Sequence, residues 1–510
     1  MSTIHPGRLL MVDIPGRQLD TDSAAFLREH RIRAVCLFRR NLGTEAEIRQ
    51  LTADLRATLG EGALIAMDQE GGSVVRALSL PQAPGAMALG AVNDEALAER
   101  VGAAVARGLR HLGLNWNFAP VVDVNNNPAN PVIAERSFSA DPDAVARLAG
   151  AWMRGAHSQG VACCLKHFPG HGDTHTDSHH ALPVVDKSLA ELEALELRPF
   201  RALGRAAPSI MTAHIEYPQL DLRHPATLSG VLLNGLLRQQ LGYTGVVITD
   251  ALMMKAVRDR YGHARAAVLA LQAGADMPLA QGSRTEQLAS LQAIAQAQRH
   301  GELDDAQLQR SAARLDALAA AYPATPRDLN DSQRAADEAL MRDAWARALT
   351  AVGVPQAPAL HTPLRVITQG RVDSDGVSEA GLPAHAVRAL FKAFADVEFV
   401  QVPSLADLDP AQLRSPQNMQ DTGRFTVLVS NQRPRYARPG VLRPDLHLCL
   451  WNPFQTLDIA APAVVTWGYG SGALAAVQAW LEGRAGTPGI APVPLEHPLQ
   501  RSPEGLPTLP

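Results

Sequence analysis

Short apolar runs, several rich in β-branched residues, alternate with longer helical patterns from the start of the chain to about residue 320. The runs predict buried strands, and the longer patterns predict amphipathic helices. The predicted strands are "LLMVDIP" (9–15), "AVCLF" (34–38), "ALIAMD" (63–68), "LNWNFAP" (114–120), "VACCLKHF" (161–168), "SIMTAHI" (209–215), "GVVITD" (245–250) and "ADMPLA" (275–280). Helical patterns lie between most of them, at 94–112, 141–158, 188–204, 254–272 and 284–299. Eight strands, each followed by a helix or an excursion, predict an α/β fold, a (β/α)8 TIM-like barrel. The alternative is an open doubly wound sheet, but the glycine-rich phosphate fingerprint of that fold is missing after the first strand.

"AYPATPRDLNDS" (321–332) reads as a Pro-rich linker and leads into a helix near 332–350. A second alternation begins near residue 363, with "LRVITQG", a helix at 384–396, "VEFVQV", "FTVLVSN", "LHLCLWNP", "AVVTWGYG" and a helix at 472–482. It predicts a smaller α/β sandwich. The tail from Thr487 is Pro-rich and is expected to lie extended. The expected division is a barrel over 1–320, a linker with a connecting helix over 321–360, the sandwich over 361–490 and the tail over 491–510.

A chain of 510 residues is long enough for two cores. Its formal charge of −4 gives no reason to expect nucleic acid or an anionic membrane as partner. Cys36, Cys163, Cys164 and Cys449 are too scattered for a disulfide framework and read as thiols in a reducing compartment. The opening "MSTIHPGRLLMVDIPG" is a poor signal peptide, and no stretch reaches the length of a membrane span. A cytoplasmic location is the expectation.

In a barrel, chemistry gathers at the carboxyl ends of the strands. Asp68 closes the third predicted strand, Lys166 and His167 end the fifth, His214 lies late in the sixth, and Asp250 closes the seventh. Each by itself reads equally well as a strand-end residue capping a helix. Several at one face point to a site.

"KHFPGHGDTHTDSHH" (166–180) holds five histidines, of which His167, His171, His175 and His179 recur every four residues. That spacing would suit a metal-binding helix face, but Pro169, Gly170 and Gly172 break helices. A zinc site of loop histidines stays open, with no Cys or carboxylate pattern to complete it. No metal and no cofactor are expected. In Asp177-Ser178-His179 a carboxylate two residues from an imidazole suits a proton shuttle, or an ordinary polar surface loop.

"KHFPGHGDTHTDSH" closely resembles the signature loop of glycoside hydrolase family 3, in its β-N-acetylglucosaminidase branch. "MDQEGGSVVR" (67–76), "FAPVVDV" (118–124), "ERSF" (135–138) and "ITDALMMKAV" (248–257) follow in that family's order. The C-terminal region resembles the family's second domain more weakly, through "LWNPF" and "APAVVTWGYG". The resemblance implies a retaining exo-β-N-acetylglucosaminidase acting on terminal β-linked GlcNAc, such as that of cell-wall muropeptides, through a covalent glycosyl-enzyme.

It implies Asp250 as nucleophile, His179 as acid/base and Asp177 as its partner. Asp68, Arg76, Arg136, Lys166 and His167 match sugar-binding positions, and Gly170 and Gly172 let the loop swing. His171 is expected to shape the turn, and His175 and His180 to be exposed without a role. The asparagine-rich "VVDVNNNPANPVIAERSF" leaves open whether any asparagine reaches the sugar. Some relatives take a catalytic carboxylate from the second domain, which the Asp177/His179 dyad makes unnecessary here. The expected partner is a carbohydrate, with no nucleic acid and no membrane. The alternatives are a β-glucosidase or β-xylosidase, a GlcNAc phosphorylase, and a catalytically silent sugar-binding protein.

Overall fold

A computed structural model describes residues 4–177, 182–413 and 423–495. Eight short parallel strands close into a barrel: β1 (Met11–Val12), β2 (Ala34–Cys36), β3 (Leu64–Met67), β4 (Trp116–Asn117), β5 (Ala162–Phe168), β6 (Ser209–Thr212), β7 (Val246–Ala251) and β8 (Met277–Leu279). Strand β8 pairs back onto β1 through Met11 and Leu279. The predicted (β/α)8 barrel is therefore present.

Every predicted strand appears, usually shorter than its apolar run. In the first run only Met11 and Val12 join the ladder, although Leu9, Leu10 and Ile14 are also buried. Barrel strands face the filled interior on one side and helices on the other, so an apolar run records burial and not pairing. Helices Glu95–His111 and Pro142–Ser158 pack against each other. The side chains of Asp94 and Asp141 accept from their first turns, satisfying backbone donors that a helix leaves unpaired.

Three helical expectations are corrected in detail. The pattern at 254–272 forms two helices, Lys255–Tyr261 and His263–Ala273, broken at Gly262. That at 188–204 also splits, into Leu189–Ala194 and Leu197–Leu203. The one at 384–396 ends at Ala389. Apolar periodicity continues across a break of one or two residues and so does not reveal it.

Helix Asp331–Ala348 leads into a second sheet. Its strands are β9 (Thr350–Val352), β10 (Leu364–Gln369), β11 (Val397–Val402), β12 (Phe425–Ser430), β13 (Leu446–Cys449) and β14 (Ala463–Val465). They lie in the order β9-β14-β13-β12-β10-β11, with β9 antiparallel to β14 and the rest parallel. Helix Ser471–Leu481 packs on helix Asp331–Ala348. Trp345 seats against "WGYGSG" so closely that a Cβ on Gly472 would stand 2.5 Å from its Cδ1. Only glycine leaves room for that ring.

The α/β domain is joined to the barrel by buried polar contacts. Trp451 Nε1 and Ser73 Oγ both donate to Glu135 Oε1, at 2.8 and 2.6 Å. Arg433 donates to the Val132 carbonyl and, at 2.7 Å, to Asp375 Oδ2. The described part of the tail, to Leu495, is anchored: Ser139 Oγ donates to the Pro492 carbonyl at 3.0 Å, and Val493 and Leu495 are buried in one cluster with Trp345 and Trp467. Among the described residues no helix is long and apolar enough to cross a membrane.

Candidate active site

A cleft of about 610 Å³ opens at the carboxyl ends of the barrel strands, between them and the segment after β10. Asp68, Arg76, Arg136, Lys166, His167 and Asp250 all line it. Asp68 directly follows β3, Arg76 follows the hairpin Gln69–Gly71/Val74–Val75, and Arg136 ends the turn Ala134–Arg136. Lys166 and His167 are neighbours on β5 yet both reach the cleft. Strand β5 shifts register against β6 between Leu165 and Phe168, which interrupts the alternation of a regular strand. Asp250 lies on β7, and His214 fixes that strand end, its Nε2 donating to the Ala251 carbonyl at 3.0 Å.

The floor of the cleft is a charge network. Lys166, 2 % exposed, has Nζ 2.7 Å from Asp68 Oδ1 and 2.6 Å from Glu70 Oε1. Arg136 grips Glu70 with two donors, Nε to Oε2 at 3.0 Å and Nη2 to Oε1 at 2.8 Å. Arg76 Nη2 lies 3.8 Å from Asp68 Oδ2. Burial opposes charge on these groups, but the partners prevail. Against desolvation, Asp68 and Glu70 hold the Lys166 ammonium above the ordinary lysine value. Against the same penalty, Arg136 and then Lys166 hold the Glu70 carboxyl well below the usual carboxylate range. A fixed set of ionised donors and acceptors suits a polyhydroxylated ligand, because each hydroxyl both donates and accepts.

Asp123 organises the histidines. Its Oδ2 accepts from His167 Nδ1 at 2.7 Å, and its Oδ1 accepts from the backbone N–H groups of His167 and His171 at 3.1 and 2.7 Å. Burial would raise its pKa, but His167 prevails and the carboxyl sits below its ordinary value. The contact leaves His167 Nε2 for the cleft. His171 is buried, its Nδ1 2.9 Å from Thr174 Oγ1 and its ring edge-on to His167. Burial, then the neighbouring His167, pushes its pKa down to about 4, so it is neutral in ordinary buffers.

Asp177, partly exposed, ends the described part of this loop and is not among the residues lining the cleft. His179 and His180 lie outside the described residues. His175 is exposed. The segment 169–177 is not helical, so the four-residue spacing makes no common face. Among the described residues no group of three His, Cys, Asp or Glu side chains is arranged to hold a metal ion.

Gly172 has a packing role beside the hinge expected of Gly170 and Gly172. A Cβ on Gly172 would stand 1.7 Å from the Val124 carbonyl oxygen, so that glycine serves close packing. The asparagines pack against the same turn. Asn130 Nδ2 donates to the carbonyls of His171 and Gly172 at 2.8 and 2.9 Å, and Asn127 Nδ2 to that of Thr174 at 3.3 Å. Neither Asn125, Asn126, Asn127 nor Asn130 lines the cleft.

Three acids went unpredicted. Glu70 stands two residues after Asp68, and on extended chain i and i+2 share a face; that spacing was a usable signal. Asp123 interrupts the apolar "FAPVVDV", and a carboxylate buried there needs a partner. Glu379 comes from the C-terminal domain and accepts from Arg76 Nη1 at 2.9 Å, with no local pattern to announce it.

Residues 5–318 match the glycosyl hydrolase family 3 N-terminal domain. The chain belongs to that family, and it is a glycoside hydrolase. Beta-hexosaminidase A of Pseudoalteromonas piscicida is 38% identical over 335 residues, which are 60% of this chain and 56% of that protein. The chain thus spans little more than half of that relative. A beta-hexosaminidase of Neisseria meningitidis serogroup C (strain 053442) is 38% identical over 283 residues, 54% of this chain and 78% of that one. Among solved structures, a glycoside hydrolase family 3 beta-N-acetylglucosaminidase from Paenibacillus sp. str. FPU-7 superposes with a TM-score of 0.83 at 30% identity, covering 97% of this chain and 99% of that one. NagZ from Neisseria gonorrhoeae, solved in complex with N-trifluoroacetyl-D-glucosamine, gives 0.54 at 31% identity over 66% of this chain and 96% of that one.

Proposed function

We propose that the protein is an exo-acting β-N-acetylhexosaminidase that removes terminal β-linked GlcNAc with retention of configuration. One observation carries this reading. Asp250 on β7 and the Asp68–Arg76 cluster after β3 face one cleft from opposite sides of the eight-stranded ring, with Lys166 on β5 between them. A sugar ring held by its hydroxyls at the cluster would present its anomeric carbon to Asp250. The names of the relatives point to the same class of sugar.

In the first step an Asp250 carboxylate oxygen bonds to the anomeric carbon as the glycosidic C–O bond breaks. His179, oriented by Asp177, gives its proton to the departing oxygen. In the second step His179 takes a proton from water, whose oxygen displaces Asp250. A histidine with a reference pKa of about 6.5 suits both transfers, and it adds no negative charge beside the nucleophile. The natural substrates in this reading are cell-wall muropeptide fragments or related β-GlcNAc glycosides met in the cytoplasm. Cys36, Cys163, Cys164 and Cys449 are buried and unpaired, as thiols of a reducing compartment are.

A panel of nitrophenyl glycosides, run with and without phosphate, tests the reading. β-GlcNAc should be cleaved in preference to β-glucose or β-xylose, with water as acceptor. A mechanism-based fluoro-sugar should label a peptide containing Asp250. Labelling elsewhere would overturn the assignment.

A further inference from the structure

Among the described residues, Glu379 is the one acid of the α/β domain that lines the cleft. Four contacts hold it there. Its backbone N–H donates to the Ser73 carbonyl at 2.9 Å, and its own carbonyl accepts from Tyr469 Oη at 3.0 Å. Its Oε1 accepts from Arg76 Nη1 at 2.9 Å, and Arg39 Nε stands 3.7 Å from Oε2. The segment before it is fastened to the barrel as well. Val377 is buried in one cluster with Val74 and Val132, and Asp375 is held by Arg433, which also reaches the Val132 carbonyl.

The position of Glu379 in the ring matters. C1 and C4 are opposite corners of a pyranose. With C1 at Asp250 on β7, C4 points toward the end of β3, where Asp68 and Arg76 stand. Glu379 bridges Arg76 and Arg39, which lines the cleft too. Side-chain exposure rises from 10 % at Arg76 through 17 % at Glu379 to 50 % at Arg39, so the carboxylate stands between the buried arginine and the open rim.

Resting on the exo-hexosaminidase reading above, we propose that Glu379 is a specificity-determining residue. It pins Arg76 across the C4 end of the cleft, leaves no path for a sugar linked through O4, and so confines the enzyme to chain ends. The second domain thus supplies a wall and no proton donor.

The test is calorimetric binding of GlcNAc and of its 4-O-methyl ether, with kcat/KM for their β-nitrophenyl glycosides alongside. The wild type should disfavour the ether at least about tenfold, as a closed pocket does with an added group it has no room for. Glu379→Ala should narrow that ratio about tenfold, because Arg76 gains freedom and the end opens toward Arg39. Glu379→Gln, which keeps the volume and an acceptor for Arg76, should stay within about twofold of wild type. Three results overturn the proposal alone: a wild type that takes both sugars equally, an unmoved ratio in Glu379→Ala, or a Glu379→Gln as permissive as Ala. Normal discrimination in binding with no cleavage of nitrophenyl GlcNAc would sink the exo-hexosaminidase reading and leave the wall in place. A wild type that binds neither sugar overturns both.

Discussion

Glu70 and Lys166 form a buried ion pair, Oε1 to Nζ 2.6 Å, and Glu70 is shared with Arg136, so one carboxylate bridges two cations at the floor of the cleft. Glu70→Ala would leave both cations buried with less compensation, which typically costs about 3–5 kcal/mol. Glu70→Gln, retaining one acceptor, should lose less. Urea unfolding checks both, and a Glu70→Ala protein as stable as wild type would show that the network carries no such load. Sugar affinity should fall too, because Lys166 and Arg136 would no longer be held in register.

Gly172 is the second point of sensitivity. Its missing side chain lets the turn after β5 pass against the Val124 carbonyl, so Gly172→Ala must displace one backbone or the other. We expect a loss of at least about 2 kcal/mol, in the range of steric core substitutions. Activity should fall further, since the same turn leads to Asp177 and His179. Gly230→Ala is the control: a Cβ there meets nothing within 4 Å, and its effect should stay within about 0.5 kcal/mol. Equal effects of the two substitutions would contradict the packing account.

The barrel was legible because its strands are buried on both faces, and the apolar runs announce that directly. The site was legible where chemistry sits at a strand end, as for Asp68, Lys166 and Asp250. Arg76 and Arg136 lie on loops and became visible only through motif resemblance. Glu379 was invisible to either route, being brought to Arg76 across 303 residues by the docking of a second domain. Gly172 is a related case: a glycine in a sequence signals freedom or close approach alike, and only the Val124 carbonyl reveals the close approach.

His447 makes stability depend on pH. It is fully buried on β13, with Nε2 2.7 Å from Ser430 Oγ, and burial pushes its pKa down to about 3. The unfolded chain binds that proton near pH 6.5, whereas the folded chain resists it down to about 3. Stability is therefore whole above pH 6.5 and declines as pH falls through that window, by on the order of 1 kcal/mol per pH unit. His157 and His171, both pushed down to about 4 chiefly by burial, act in the same sense. Unfolding free energies at about pH 7 and about pH 5.5 separate the histidines from the carboxylates, because unfolded carboxylates titrate near 4. His447→Gln should flatten the dependence, and an unchanged slope would remove His447 from the account.

The assignment of proton transfer to His179 predicts a dependence on the leaving group. A departing sugar alkoxide is a strong base and needs a proton as the bond breaks, whereas a nitrophenolate leaves largely unaided. His179→Ala should therefore slow the first step for a GlcNAc disaccharide by about 100-fold or more, and for nitrophenyl GlcNAc far less. Asp177→Asn should show a weaker form of the same pattern, because it loosens control of the tautomer without removing the imidazole. The basic limb of the pH profile should disappear with the imidazole, since the acid form of His179 is what the first step consumes. Single-turnover measurements on both substrates separate this step from hydrolysis of the glycosyl-enzyme. If His179→Ala slows both substrates equally there, or neither, the proton comes from another group. Glu379 would then be the first to test, as an acid that the second domain brings to the cleft; its Oε1 already accepts from Arg76 at 2.9 Å, which is why His179 is preferred.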